Sequence, residues 1–282
     1  MTIGARLDMA NGMEKLQFDL RCLNHRWFNT TMIRRRDFDG HMASTPQSGR
    51  HWVIYMLSLC MSEVYGKPPP ETIQSQDFVG NPKKKPLYPE LPQLSSSHSL
   101  PHGLMYCSSV ARKLKFPKYL IVVRDMRHSL VSCYEKWKNE YQVDFSTYLK
   151  SSPFGAGYHN DIWRQMQIVN EWGRIARMDE YETLLLKYED IKADTAGSLY
   201  SICQLFEIDA SDGIIRRAVA ASSKSEMKMR SRPLNRKEVV VREDSRHPFE
   251  WFTPEDRRIF TDILTKNLKC SLGGYDYSRW DF

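Results

Sequence analysis

The sequence predicts an α/β fold, in which a parallel sheet is covered by helices on both faces within a single domain. Three observations carry this expectation. Tyr119-Leu-Ile-Val-Val123 is a continuous apolar run behind Pro117, the pattern of a strand buried on both sides. Apolar runs of this kind alternate along the chain with segments of helical period. A small-residue turn at Ser48 and Gly49 also separates a short apolar segment from a helix-like stretch, the strand–turn–helix order that creates an anion site. The 282 residues are enough for one sizeable core, and no internal repeat or linker divides them.

Taken in order, residues 1–37 show no strong period and are expected to form an irregular N-terminal cover. His41 to Thr45 reads as a short strand. Residues 51–65 read as a helix that stops before Gly66 and Pro68-Pro-Pro70. Residues 66–102 are rich in Pro, Ser, Lys and Gln and too long for a simple connector, so a loop insertion beside a binding site is expected. Beyond the strand at 119–123, helical periodicity runs from about Met126 to Tyr141 and again over 159–177. Thr183 to Tyr188 is another strand, and Glu189 and Asp190 open a helix expected to reach Phe206. Helices near 212–222 and 254–268 complete the pattern.

Composition narrows the function classes. Hydrophobic residues at 41% and charged residues at 27% are the balance of a soluble globular protein, and no apolar run is long enough to span a bilayer. Cys22, Cys60, Cys107, Cys133, Cys203 and Cys270 lie far apart with no C-x-x-C spacing. They read as free thiols in a reducing cytoplasm, with neither a disulfide frame nor a metal site. Asp8, Glu14 and Asp19 interrupt the N-terminus, which does not read as a secretory leader. The net charge of +7 is spread over Arg34-Arg-Arg36, Lys83-Lys-Lys85 and the stretch Arg230 to Arg246. No recognition-helix or RNA motif accompanies it; an enzyme that holds a polyanionic cofactor would carry the same excess, and solvated surface is the plain explanation for much of it.

The turn Thr45-Pro-Gln-Ser-Gly-Arg-His-Trp52 is the most informative segment. The first amides of a helix lack backbone partners and the helix dipole adds positive charge there, while Gly49 lets the backbone approach a ligand oxygen. This predicts a phosphate or sulfate cradle over residues 47–52. No Gly-Lys-Ser/Thr follows, so it is not a Walker A loop. Arg124 stands at the carboxyl end of the strand 119–123, and Ser132 follows eight residues later. A guanidinium fork and a hydroxyl at the end of a parallel strand suit a second phosphate.

These segments resemble the PAPS-dependent sulfotransferases of the cytosolic and bacterial small-molecule type. The 5′-phosphosulfate loop of that family reads Pro-Lys-Ser-Gly-Thr-Thr-Trp. Pro46, Ser48, Gly49 and Trp52 match it in register, Gln47 stands in place of the lysine, and Arg50 and His51 replace the two threonines. Tyr119 to Ser132 resembles the 3′-phosphate motif, in which an arginine ends the strand and a serine follows at this spacing. Leu184-Leu-Leu-Lys-Tyr-Glu-Asp-Ile-Lys-Ala-Asp194 resembles the strand and Tyr-Glu-Asp helix start that would put Tyr188 beside the adenine, with Trp52 stacked on the same base. Ser222-Ser-Lys-Ser-Glu-Met-Lys228 is similar to the family's Thr-Ser-Phe-x-x-Met-Lys, with Ser222 in the adenine-facing place and Lys224 where phenylalanine is usual. Val241-Arg-Glu-Asp-Ser-Arg246 and Trp251-Phe-Thr-Pro254 keep the arginine and tail of the C-terminal pattern without its glycine. Arg242 is the first choice for a 3′-phosphate contact there and Arg246 the second.

The resemblance implies a P-loop-like sheet and transfer of a sulfuryl group from PAPS, with PAP as product and no metal. The acceptor would be a hydroxyl or amine of a small molecule, a specialised metabolite. The family's base lies in a Lys-Thr-His-x-x-Pro-like segment. Ser95-Ser-Ser-His98-Ser-Leu-Pro101 fits that place, which makes His98 the candidate base with His102 nearby; Ser96 replaces the lysine two residues before the base. Gln47 carries no charge, so Arg50 and His51 are expected to compensate. The same substitution, with the missing glycine, motivates an alternative: a catalytically weak or inactive PAPS- or PAP-binding protein. The acceptor pocket is expected from residues 1–35, 66–102 and 137–160. Its walls would be aromatic (Trp27, Phe28, Tyr88, Trp137, Tyr141, Phe145, Tyr148, Phe154, Tyr158), with Asp8, Asp19, Asp37 and Asp161 suited to a cationic acceptor. All of this requires Ser48 and Gly49 to lie close enough to Arg124 and Ser132 to share one nucleotide.

Overall fold

Five parallel strands organise the molecule: β1 (Gly40–Ser44), β2 (Val79–Gly80), β3 (Leu94–Ser97), β4 (Lys118–Val123) and β5 (Thr183–Lys187), in the order β2-β3-β1-β4-β5. The computed structural model describes residues 3–34, 36–154, 158–231 and 246–280. Around the sheet lie α1 (Ile3–Phe28), α2 (Thr31–Arg34), α3 (Arg50–Val64), α4 (Ser108–Lys113), α5 (Met126–Tyr141) and α6 (Phe145–Leu149). These are followed by α7 (Ile162–Ile175), α8 (Tyr188–Ala193), α9 (Thr195–Leu205), α10 (Asp212–Ala221), α11 (Lys224–Ser231) and α12 (Pro254–Asn267).

Alternation along the strands assigns each face its own core. Met42, Leu120 and Val122 pack with Val53, Leu57, Ile202 and Ile215, from α3, α9 and α10. Ala43, Tyr119, Ile121 and Val123 face the other way and pack with Phe18, Leu130, Tyr148, Trp163, Trp172 and Phe260, from α1, α5, α6, α7 and α12. With both faces covered, the central strands read as unbroken apolar runs. The result is the single α/β domain that the sequence predicts.

Three elements depart from the sequence reading. Residues 3–28 form a 26-residue helix rather than an irregular cover. Phe18 and Cys22 of α1 are buried, while Met13, Leu16, Leu20, Leu23 and Trp27, on the opposite side, are between 47% and 61% exposed. Apolar residues on both sides cancel the amphipathic period by which a surface helix is recognised. The 66–102 insertion contains β2 and β3, so part of it belongs to the sheet. Leu94-Ser-Ser-Ser97 has loop-like composition but is buried throughout. Its polarity is satisfied by His41, whose Nδ1 and Nε2 lie 2.8 Å and 3.1 Å from the hydroxyls of Ser95 and Ser97. The helix expected from Glu189 to Phe206 is two helices, α8 and α9. They part at Asp194, whose carboxylate accepts the Gly197 amide at 2.9 Å and caps the second.

Candidate active site

The carboxyl ends of four strands lie in line, and each feeds a residue into one cleft. Ala43 pairs with Ser97, Ser44 with Val122, and Val123 with Lys187. The next residues are the Thr45–Gly49 turn after β1, His98 after β3, Arg124 after β4 and Tyr188 after β5. From β1 the chain goes to the edge strand β2, steps back to β3 beside β1 and then crosses to β4 on the other side of β1, a topological switch point of the kind at which open α/β sheets bind ligands.

The turn is held from several directions. Ser48 Oγ donates to the Thr45 carbonyl at 2.6 Å, and Ser129 Oγ of α5 donates to the Pro46 carbonyl. Gln47 and Gly49 have φ of 54° and 81°. A Cβ on Gly49 would come within 2.8 Å of the Tyr188 ring, so glycine is required there by both conformation and space. Gly49 caps α3 without a side chain, leaving the positive end of that helix bordered by the turn. Arg124 Nη1 donates to the Gln47 carbonyl at 2.8 Å and to Ser132 Oγ at 3.4 Å. Its guanidinium lies 4.6 Å above the Tyr188 ring.

The turn and the Arg124/Ser132 pair therefore form one site. Three buried polar atoms in it have no protein partner among the described residues: Thr45 Oγ1, Arg50 Nε and Arg124 Nε. Unsatisfied donors buried around an anion cradle fit a polyanionic ligand, because a bound oxygen would complete their hydrogen bonding. Beside them Trp52 Nε1 donates to the Ser222 carbonyl at 2.9 Å, and the Trp52 and Tyr188 rings meet edge-on at 6.3 Å. The three residues expected around a purine are thus together. Arg246 lies with its guanidinium 4.0 Å above the Trp251 ring. Arg242 falls outside the described residues.

His98 lines a cavity of about 620 Å³ together with Arg34, Arg50, Asn81, Lys83 and Ser97. Its Nδ1–H donates to the Ser44 carbonyl at 2.8 Å, which leaves the lone pair on Nε2. Arg164 donates to the His98 carbonyl at 3.0 Å and fixes the backbone. Burial, then the charge of Arg50, lowers the His98 pKa to about 3, so the imidazole is neutral at physiological pH. Burial likewise lowers the Arg50 pKa below the usual guanidinium range. His102 has no nitrogen to spare: Nδ1 accepts from the Leu104 amide and Nε2–H donates to the Trp27 carbonyl, both at 3.1 Å. Geometry thus separates the two candidate bases.

The expected aromatic cleft is not what surrounds His98, since no aromatic side chain lines the cavity among the described residues. Tyr141, Phe145, Tyr148 and Tyr158 pack on one another in the core, and Tyr88 packs on Phe78. Trp137 lies against His159 and Trp27 edge-on to His102, while Phe28 and Phe154 are exposed. The acids also turn elsewhere. Asp19 pairs with Lys269 at 2.8 Å and Asp37 with Lys85 at 2.7 Å, while Asp161 caps α7 through the Arg164 amide at 2.8 Å. The side chain of Asp8 lies outside the described residues. Sequence reasoning missed Ser44, Ser129 and Arg164, which act through backbone carbonyls and leave no motif. It also missed Arg34 and Lys83 as walls of the cavity; their signal was the basic runs at 34–36 and 83–85.

Comparison with known proteins supplies the remaining context. The family model of the sulfotransferase domain matches residues 37–269. Sulfotransferase 2A2 of Rattus norvegicus is 29% identical over 202 residues, covering 63% of this chain and 64% of that protein. Sulfotransferase 2A1 of Homo sapiens is 28% identical over 184 residues, covering 60% and 59%. The match therefore spans less than two thirds of the length of these relatives. Mouse sulfotransferase SULT7A1 complexed with PAP has a similar fold, with a TM-score of 0.56 at 18% identity over 90% of this chain and 95% of that one. Retinol dehydratase in complex with androsterone and PAP gives 0.54 at 18% identity, over 82% and 80%.

Proposed function

The chain belongs to the sulfotransferase domain family, and on that premise we propose that it transfers a sulfuryl group from PAPS to a hydroxyl or amine of a small-molecule acceptor, a specialised metabolite in the cytoplasm, with PAP released. PAPS supplies the activated sulfuryl group. The turn at 47–52 and the Arg124/Ser132 pair hold its two anionic ends, while Trp52, Tyr188 and Ser222 border the base. The observation that carries the reading is the position of His98, locked in one tautomer by the Ser44 carbonyl and sharing a cavity wall with Arg50. His98 Nε2 takes the acceptor proton as the acceptor atom bonds to sulfur and the sulfur–oxygen bond to PAP breaks, its electron pair leaving with PAP. Burial, then the Arg50 charge, disfavours the imidazolium; an anion beside Arg50 offsets the second of these, so His98 gains basicity when the donor is in place.

Gln47 is the weak point, because a neutral amide replaces a cation at the turn. Arg50, half-buried with an Nε that has no partner among the described residues, is suited to supply that charge. The test is PAP release by the purified protein with PAPS and a panel of hydroxyl and amine acceptors, alongside calorimetry with PAP. Acceptor-dependent release supports the enzyme. PAP binding without release across the panel supports the catalytically weak nucleotide-binding protein instead.

A further inference from the structure

The cavity beside His98 is cationic, and this bears on the acceptor. Arg34 enters from the end of α2, Lys83 from the turn after β2, and Arg50 from the first residue of α3. The rest of the wall is hydroxyl, the Asn81 amide, the Pro82 ring and the His98 imidazole, and no carboxylate lines it among the described residues. The turn that carries Lys83 is built: the Lys83 amide donates to Asn81 Oδ1 at 2.7 Å, and Asn81 Nδ2 donates to Gln76 Oε1 at 2.9 Å. Neighbouring Lys85 is neutralised by Asp37 at 2.7 Å, whereas neither Arg34 nor Lys83 makes an ion pair among the described residues. A neutral apolar acceptor would strip water from these cations and give nothing back. An oxyanion would restore their hydrogen bonds and fix the orientation of the molecule that carries it.

We infer that the acceptor is an anionic compound, a hydroxyl or amine that also bears a carboxylate or phosphate, gripped by Arg34 and Lys83 while Arg50 faces the transferring group. The inference rests on the sulfotransferase reading and adds the class of acceptor. Arg34 and Lys83 are specificity-determining residues here; His98 keeps the proton transfer.

The experiment compares matched pairs that differ only in charge: 4-hydroxyphenylacetate, 3-hydroxybenzoate and 3-hydroxybutyrate, each against its methyl ester. Transfer is read as kcat/KM with PAPS, and binding is read by calorimetry on the PAP-saturated protein. At least one acid should exceed its ester by about tenfold or more, and the ratio should shrink as KCl rises toward about 0.5 M, since the charges are exposed. Arg34→Gln and Lys83→Gln should each narrow the ratio, and the double variant should bring it close to one. Esters used as well as their acids, or better, would overturn the inference and leave the sulfotransferase reading standing. If nothing turns over, tighter binding of an acid upholds the anionic site while the activity fails. Equal binding within every pair, or no binding of any probe, overturns the inference as well.

Discussion

At the scale of single residues, the site depends on which groups are left with something to do. Both nitrogens of His102 are occupied, whereas one nitrogen of His98 is occupied and the other keeps its lone pair. His98→Gln is accordingly expected to lower sulfuryl transfer by about 10²–10⁴-fold, with PAP affinity by calorimetry unchanged. Gly49→Ala addresses the cradle. A methyl group there meets the Tyr188 ring at 2.8 Å from a backbone with φ of 81°, so PAP binding should weaken and stability fall by about 1–3 kcal/mol in urea titrations. For Gln47→Lys the expectation is a gain of up to about 10²–10³ in turnover, the scale of one charged contact to a transition state; an unchanged rate would show that Arg50 already fills the role. Pro46, Ser48, Gly49, Arg124 and Ser132 were legible because they shape the backbone turn, reach it directly with a side chain or, like Ser132, bond the side chain that does. Ser44 and Arg164 were not, because each reaches His98 through a carbonyl, which any residue type carries.

At the scale of elements, α1 and β3 show what periodicity can and cannot reveal. The apolar runs of β4 and the helix after it were readable almost to the residue, because each has one pattern and one environment. Helix α1 has two apolar sides, one buried and one exposed, so its sequence has little amphipathic contrast. The two sides should respond differently to substitution. Phe18, 1% exposed, should cost about 3–5 kcal/mol when changed to alanine. Leu20, 47% exposed, should tolerate glutamine within about 0.5 kcal/mol, with both effects measured by chemical denaturation. Strand β3 hides for a different reason. Its serines resemble a loop until His41 is known to sit between two of them, and that contact joins residues far apart in sequence. Long-range pairing of this kind has no local signature.

At the scale of the whole molecule, buried histidines couple stability to acidity. Burial, then the Arg50 charge, lowers the pKa of His41 to about 3 in the folded state, against about 6.5 when unfolded. Below pH 6.5 the unfolded chain binds a proton at His41 that the folded chain refuses, so stability falls as pH drops from 6.5 toward 3. By pH 5 the His41 contribution is a loss of about 2 kcal/mol. Urea midpoints at pH 7.5 and pH 5 should show the decline, and His41→Asn should make it shallower. The two-faced core was legible from the unbroken apolar run of β4, and the strand order was not, since β1 lies between β3 and β4. That order also shapes the birth of the protein. Leaving the ribosome at roughly 5–20 residues per second, β1 emerges with neither neighbour yet synthesised, and its unpaired edges wait several seconds for β3 and longer for β4. A nascent chain with an apolar middle strand and late-arriving partners is the kind of client that holding chaperones shield, and its yield on expression should rise when chaperone supply is increased.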